Sequence, residues 1–192
     1  MPGPYLSSVS INDGREVGLK WLEPADIPAV RAFMEDLTDD AVRLLNQDLK
    51  DIEAMPRRLG RLGGDRLRVL AAFDPEAGDR MAGYAYLLRG SWAAAHRALV
   101  ECLVHRQYRD LGLGSTLLRQ LAETGKAMGL MLLQAEIQVD RKEQITAFKR
   151  LGYELKAILE DYRVDRQGRP YDVIILLKRL RYPSAQEFLY KY

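Results

Sequence analysis

The chain opens, over residues 15 to 22, on an alternation in which Val17, Leu19 and Trp21 fall to one side and Glu16, Gly18 and Lys20 to the other. A period of two is the signature of a half-buried strand, and Glu23-Pro24 stops it. Behind Asp26, which the pattern marks as a helix N-cap, Ile27, Val30, Phe33, Met34 and Leu37 recur at helical spacing. A second helical stretch runs from Asp39 to Leu49 and a third to Leu62, ended by Gly63-Gly64.

From Arg66 the period returns to two. Leu67, Val69, Ala71 and Phe73 alternate, the cluster Asp74-Pro75-Glu76-Ala77-Gly78-Asp79 makes a turn, and Met81 to Leu88 is the returning strand. A third strand, Leu99 to Val104, leads through a loop into a helix from Ser115 to Met128, closed by Gly129 where a left-handed cap is usual. Leu130 to Val139 reads as a strand, and Ile145, Phe148 and Leu151 mark a short helix closed by Gly152. Two strands, Tyr153 to Val164 and Tyr171 to Leu180, flank the turn from Asp165 to Pro170. Strands and helices in this order predict an α/β chain built on a central sheet.

Composition narrows the reading. A length of 192 residues suits one domain, residues 1–192, with a core at about 15–180 and a Pro-containing tail from Arg181 to Tyr192. The aromatic residues of that tail would pack on the domain itself or serve a dimer contact. With 29 basic and 27 acidic side chains the net charge is only +2, which argues against a nucleic acid or a membrane surface as partner. Cys102, His96 and His105 make neither a disulfide nor a zinc set, so a reducing compartment and metal-free chemistry are expected. Apolar runs fall far short of the ~20 residues of a spanning helix, and Met1-Pro2-Gly3-Pro4 lacks a signal-peptide pattern. A cytoplasmic location is the expectation.

The stretch richest in chemistry is Leu103-Val104-His105-Arg106-Gln107-Tyr108-Arg109-Asp110-Leu111-Gly112-Leu113-Gly114-Ser115. Its glycines permit close backbone approach, and the unpaired N–H groups at a helix start favour a pyrophosphate. A P-loop is excluded because Gly114 precedes Ser115-Thr116 without the lysine. A dinucleotide fingerprint would place its first glycine directly after the strand and a third at position 117, which is Leu; Glu136 alone suits its acidic position. That leaves a nicotinamide-dependent oxidoreductase as a runner-up.

Arg109-Asp110-Leu111-Gly112-Leu113-Gly114 matches the Arg/Gln-x-x-Gly-x-Gly/Ala motif of the GNAT superfamily of acetyltransferases. Ala147-Phe148-Lys149-Arg150-Leu151-Gly152-Tyr153 resembles that family's Tyr-x-Lys-Leu-Gly-Phe segment, and Glu23-Pro24-Ala25-Asp26 resembles the start of its first helix. The three occur in the family's order over residues 15 to 180. The resemblance implies the GNAT fold, a mixed and mostly antiparallel sheet flanked by helices, and an N-acetyltransferase that uses acetyl-CoA and a primary amine without a metal.

It further implies that the pyrophosphate sits on Arg109, Asp110, Leu111, Gly112, Leu113, Gly114 and Ser115. The pantetheine arm would lie between the strand ending at Val104 and the strand Leu130 to Val139, with backbone groups of Leu103 and Val104 on the thioester. Where many members have an acidic tyrosine the chain has Phe148, which carries no proton and would pack against the arm or the core, leaving protonation to water. Glu101, a carboxylate in an apolar strand, is the candidate base, although much of the family carries its glutamate where this chain has Ala98 and Leu99. Tyr108 and Tyr162 are substitutes for the missing acid, and His105 reads as a solvated or phosphate-adjacent residue. Cys102 reads as a small core residue. Arg57, Arg58, Arg61, Arg66 and Arg68 would face the 3'-phosphate of CoA or an acidic acceptor, or form a solvated helix face, and Glu35, Asp36, Asp39 and Asp40 would favour a cationic amine, with helix capping by Asp39 or Asp40 as the alternative. A noncatalytic acyl-CoA sensor with the same fold is the alternative to an enzyme.

Overall fold

The computed structural model describes residues 5–37, 66–165 and 167–181. The helical stretches expected between residues 39 and 62 and the tail 182–192 lie outside them, as do Asp39, Asp40, Arg57, Arg58 and Arg61. The first elements are β1 (Ser7–Ser10), β2 (Glu16–Trp21) and α1 (Ile27–Glu35), with a single 3-10 turn, Pro24–Asp26, before the helix. Then come β3 (Leu67–Asp74), β4 (Arg80–Arg89), β5 (Arg97–Val104) and α2 (Leu113–Ala127). The chain continues through β6 (Leu132–Gln138), α3 (Lys142–Arg150), β7 (Glu154–Val164) and β8 (Pro170–Arg179).

The strands make one sheet in the order β1-β2-β3-β4-β5-β6-β8-β7. Every pair is antiparallel except β5 with β6. Alternation along each strand sends side chains to two different layers. Ala85 and Leu87 of β4, Val100 of β5 and Leu133 and Ala135 of β6 pack with Leu117 and Leu121 of α2 and with Ile145 and Phe148 of α3. Tyr84 and Tyr86 of β4 and Leu103 of β5 point the other way and pack with Val30 and Phe33 of α1.

Three sequence expectations change here. β1 was not foreseen: its short Ser7-Ser8-Val9-Ser10 run is an edge strand with little burial to create a hydrophobic pattern. Asp26 is no side-chain N-cap for α1. Its carboxylate instead accepts the Glu23 N–H at 3.0 Å and pairs with Lys20 Nζ at 2.7 Å, both charged side chains being only 6% exposed. Asp36 is no free charge: it pairs with Arg80 at 2.5 Å and with His105 at 3.0 Å while its side chain stays about one-third exposed. Gly129 and Gly152, with φ of +72° and +84°, end α2 and α3 in the left-handed conformation expected of them.

Candidate active site

The parallel pair β5–β6 holds for three register pairs, Arg97 with Leu132, Ala98 with Leu133 and Leu99 with Gln134. Beyond Leu99 the ladder ends although both strands continue, β5 to Val104 and β6 to Gln138. On its other side β5 stays paired with β4 as far as Val104 opposite Gly83. The far edge of residues 100–104 therefore faces a gap. That gap is a cavity of about 740 Å³ lined by both parted strands, by the loop before α2, by the start of α3 and by β7 and β8.

At one end of the cavity lies the start of α2. Asp110 and Gly112 both take left-handed backbone conformations, φ +60° and +82°, which turn the chain sharply into the helix. Leu113, Gly114 and Ser115 are its first three residues, whose N–H groups have no intrahelical acceptor. Gly114 brings this turn against β5: a Cβ built there would lie 3.4 Å from Val104 Cγ2 and 3.6 Å from Cys102 Sγ. Arg109 Nε donates to the Val104 carbonyl at 3.2 Å, tying the loop to the strand end.

Of the residues expected at the site, Glu101, Leu103, Val104, Arg109, Asp110, Gly112, Gly114, Ser115 and Phe148 all line the cavity. Leu113 does not, since its side chain is fully buried in the core, and Leu111 packs against that core while its carbonyl accepts the Asn12 N–H at 3.0 Å. Backbone groups of these two can still border the loop. Glu101 stands opposite Tyr86 in the β4–β5 register, and the Tyr86 hydroxyl donates to Glu101 Oε2 at 3.2 Å. Phe148 packs edge-on against Tyr153, ring centroids 4.9 Å apart.

The proposed substitutes for the missing acid lie elsewhere. Tyr108 is 2% exposed, donates to Asp74 Oδ2 at 2.7 Å and does not line the cavity; burial and Asp74 push its hydroxyl up to about 12. Tyr162 is exposed on β7 and does not border the cavity. His105 is neither solvated nor beside the phosphate end: it is 1% exposed, its Nδ1 accepts the Gln107 N–H and its Nε2 faces Asp36. Arg68 lays its guanidinium 5.7 Å from the Trp21 ring. Cys102 does border the cavity while packing against the core, and burial, aided by Glu101, pushes its thiol up to about 12. A thiol so held is a poor nucleophile near neutral pH.

Sequence reasoning missed Arg141, Lys142, Arg163 and Tyr171 in the cavity wall and weighed Glu136 only as a ribose ligand. Glu136 in fact pairs with Arg163 at 2.5 Å and accepts from Gln134 Nε2 at 2.8 Å. Burial disfavours charge on Arg163, but Glu136, Tyr171 and Glu101 outweigh it and hold the guanidinium more firmly protonated than a free arginine.

The family model described as an acetyltransferase (GNAT) domain matches residues 19–175, and the chain belongs to that family. It is therefore an acyltransferase by class, of a family that uses acetyl-CoA. Solved structures share the fold. A GNAT-family acetyltransferase from Streptococcus pneumoniae is 22% identical, with a TM-score of 0.71 over 85% of this chain and 99% of that one. The Salmonella typhimurium protein yncA, solved with its cofactor acetyl-CoA, is 21% identical with a TM-score of 0.69, covering 88% of this chain and 96% of its own. A ribosomal-protein-alanine N-acetyltransferase from Brucella melitensis is 24% identical with a TM-score of 0.72, covering 84% and 98%. The curated proteins contain no match to the chain.

The residues present fit acetyl-CoA. Gly114 leaves a cradle at a helix start for an anion, with Arg109, Arg141 and Lys142 in the same wall, and the middle of the cavity offers Val104, Leu118, Ala135, Ile137 and Phe148 to an uncharged arm.

Proposed function

We propose that the chain acetylates a primary amine by direct transfer in a ternary complex, with the donor lying in the gap between β5 and β6. The observation that carries this reading is the end of pairing after Leu99 and Gln134, which joins the helix start, an apolar channel and the Glu101 carboxylate in one cavity. Acetyl-CoA supplies an activated acetyl group whose transfer releases the free thiol of CoA.

The chain's own residues account for the rest. The first N–H groups of α2 hold the diphosphate, and Arg109 braces the turn that presents them. The unpaired edge of β5 orients the donor and offers the Val104 N–H where charge develops; the Leu103 N–H, expected there too, points instead toward β4, like that of His105, which bonds to the Ala82 carbonyl. Glu101 takes a proton from the ammonium form of the acceptor, directly or through one water, because only the neutral amine has a lone pair to attack with. Tyr86 keeps the carboxylate aimed. Phe148 has no proton to give, so the departing thiolate takes one from water, and Cys102 stays uninvolved.

Acetyl-CoA titrated by calorimetry, followed by thiol release across amines, amino acids and lysine peptides, tests the proposal. Binding with amine-dependent release supports it. Binding without release on any amine points to the noncatalytic sensor instead.

A further inference from the structure

Glu101 and Glu136 occupy equivalent places on the two strands that part. Leu99 and Gln134 are the last paired residues, and each glutamate stands two residues further on, so both side chains leave the sheet on the α1 side and border the cavity. Two carboxylates alone would suit a dication. β7 changes that sum, because Arg163 reaches over β8 to Glu136 and lines the same cavity.

Glu136 is occupied at both oxygens, Oε2 by Arg163 and Oε1 by Gln134. Arg163 has five N–H donors in a fixed fork, and the bond to Glu136 engages one guanidinium nitrogen, NH2. Its side chain is 30% exposed, against 11% for Glu136, and it lines the cavity. Glu101 lies within electrostatic reach of the same guanidinium. These three side chains carry two negative charges and one positive, and the guanidinium nitrogens not bonded to Glu136 are the N–H donors among them. A plain amine, with one positive charge or two, would leave those guanidinium donors without an acceptor, whereas a ligand carboxylate supplies one.

Resting on the proposed amine transfer, we infer that the acceptor is a small amino acid, whose carboxylate is taken by Arg163 while Glu101 faces the ammonium group. An Arg–carboxylate contact in a cavity is strong and orienting, and it would set the amine in one place relative to the base. A peptide amine or polyamine offers no such carboxylate.

The test compares thiol release for matched acceptors: the common α-amino acids together with β-alanine and 4-aminobutyrate, each beside its carboxamide. The best acceptors should be acids, with kcat/KM at least about tenfold above their amides. Arg163→Met should bring that ratio close to one by raising KM for the acid while KM for acetyl-CoA holds, and Arg163→Lys should keep part of the preference. The acid-to-amide ratio of the unaltered protein needs no variant to fold. Amides used as well as acids, or a ratio untouched by Arg163→Met, overturn the inference and leave amine acetylation standing. Absence of release with every amine overturns the transfer reading beneath it.

Discussion

The hydroxyl of Tyr86 donates to Glu101 Oε2 across the β4–β5 ladder at 3.2 Å, so the carboxylate in the cavity wall is held by a residue that is itself only 2% exposed. If Glu101 receives the acceptor's proton, Glu101→Gln should lower kcat by about a hundredfold or more while acetyl-CoA affinity stays the same. The rise of rate with pH on the acid side should flatten with it. Tyr86→Phe should cost less, about tenfold at most, since the carboxylate remains. Steady-state kinetics across pH measure both, and a Glu101→Gln enzyme of normal rate would assign proton removal to another group.

Gly114→Asp separates binding from folding because the two effects have opposite signs. A carboxylate in the first turn of α2 favours the helix dipole, and the added Cβ meets Val104 and Cys102 only at ordinary contact distance. The same charge stands where a diphosphate would sit. Thermal melting should show a Tm unchanged or slightly raised, while calorimetry shows acetyl-CoA affinity down at least about tenfold. Unchanged affinity would remove the start of α2 from the donor site.

The loop and the parted strand were readable in the sequence for different reasons. Arg109 to Gly114 is a local feature, since glycine positions before a helical period dictate a turn and a helix start wherever the segment sits. Glu101 stood out as one carboxylate among apolar strand residues. Arg163 and Tyr171 had no such mark: polar residues of an edge hairpin are ordinary, and only the order β6-β8-β7 brings Arg163 over β8 to Glu136. The burial of His105 was not legible because its neighbours Phe33 and Asp36 lie about 70 positions away in the chain. β1 gave no pattern because an exposed four-residue edge strand buries almost nothing.

Lys20 and Asp26 form an ion pair shielded from water between β2 and the turn into α1. Removing one member leaves the other charge buried, at a cost of about 3–5 kcal/mol. Lys20→Met should therefore lower stability in urea melts by that order, and adding Asp26→Asn should restore part of it. A Lys20→Met protein as stable as the parent would mean that water reaches Asp26.

His105 titrates below the usual histidine range because burial opposes its charge more than Asp36 supports it. The unfolded chain then binds the proton more readily than the folded one, so stability rises with pH across this interval. The contribution should be absent above about pH 7 and should turn against the fold as pH falls below about 6.5. Urea melts of the parent and of His105→Gln between pH 5 and 8 should diverge only toward the acid end. A constant difference over that range would contradict the burial argument.

Hydrogen–deuterium exchange with and without acetyl-CoA tests the central claim most directly. New protection is expected over residues 100–104, 109–115 and 135–138, the parted edges and the helix start, with little change in β1 to β3. Protection confined to other segments, or none under conditions where calorimetry shows saturation, would contradict a donor site between β5 and β6.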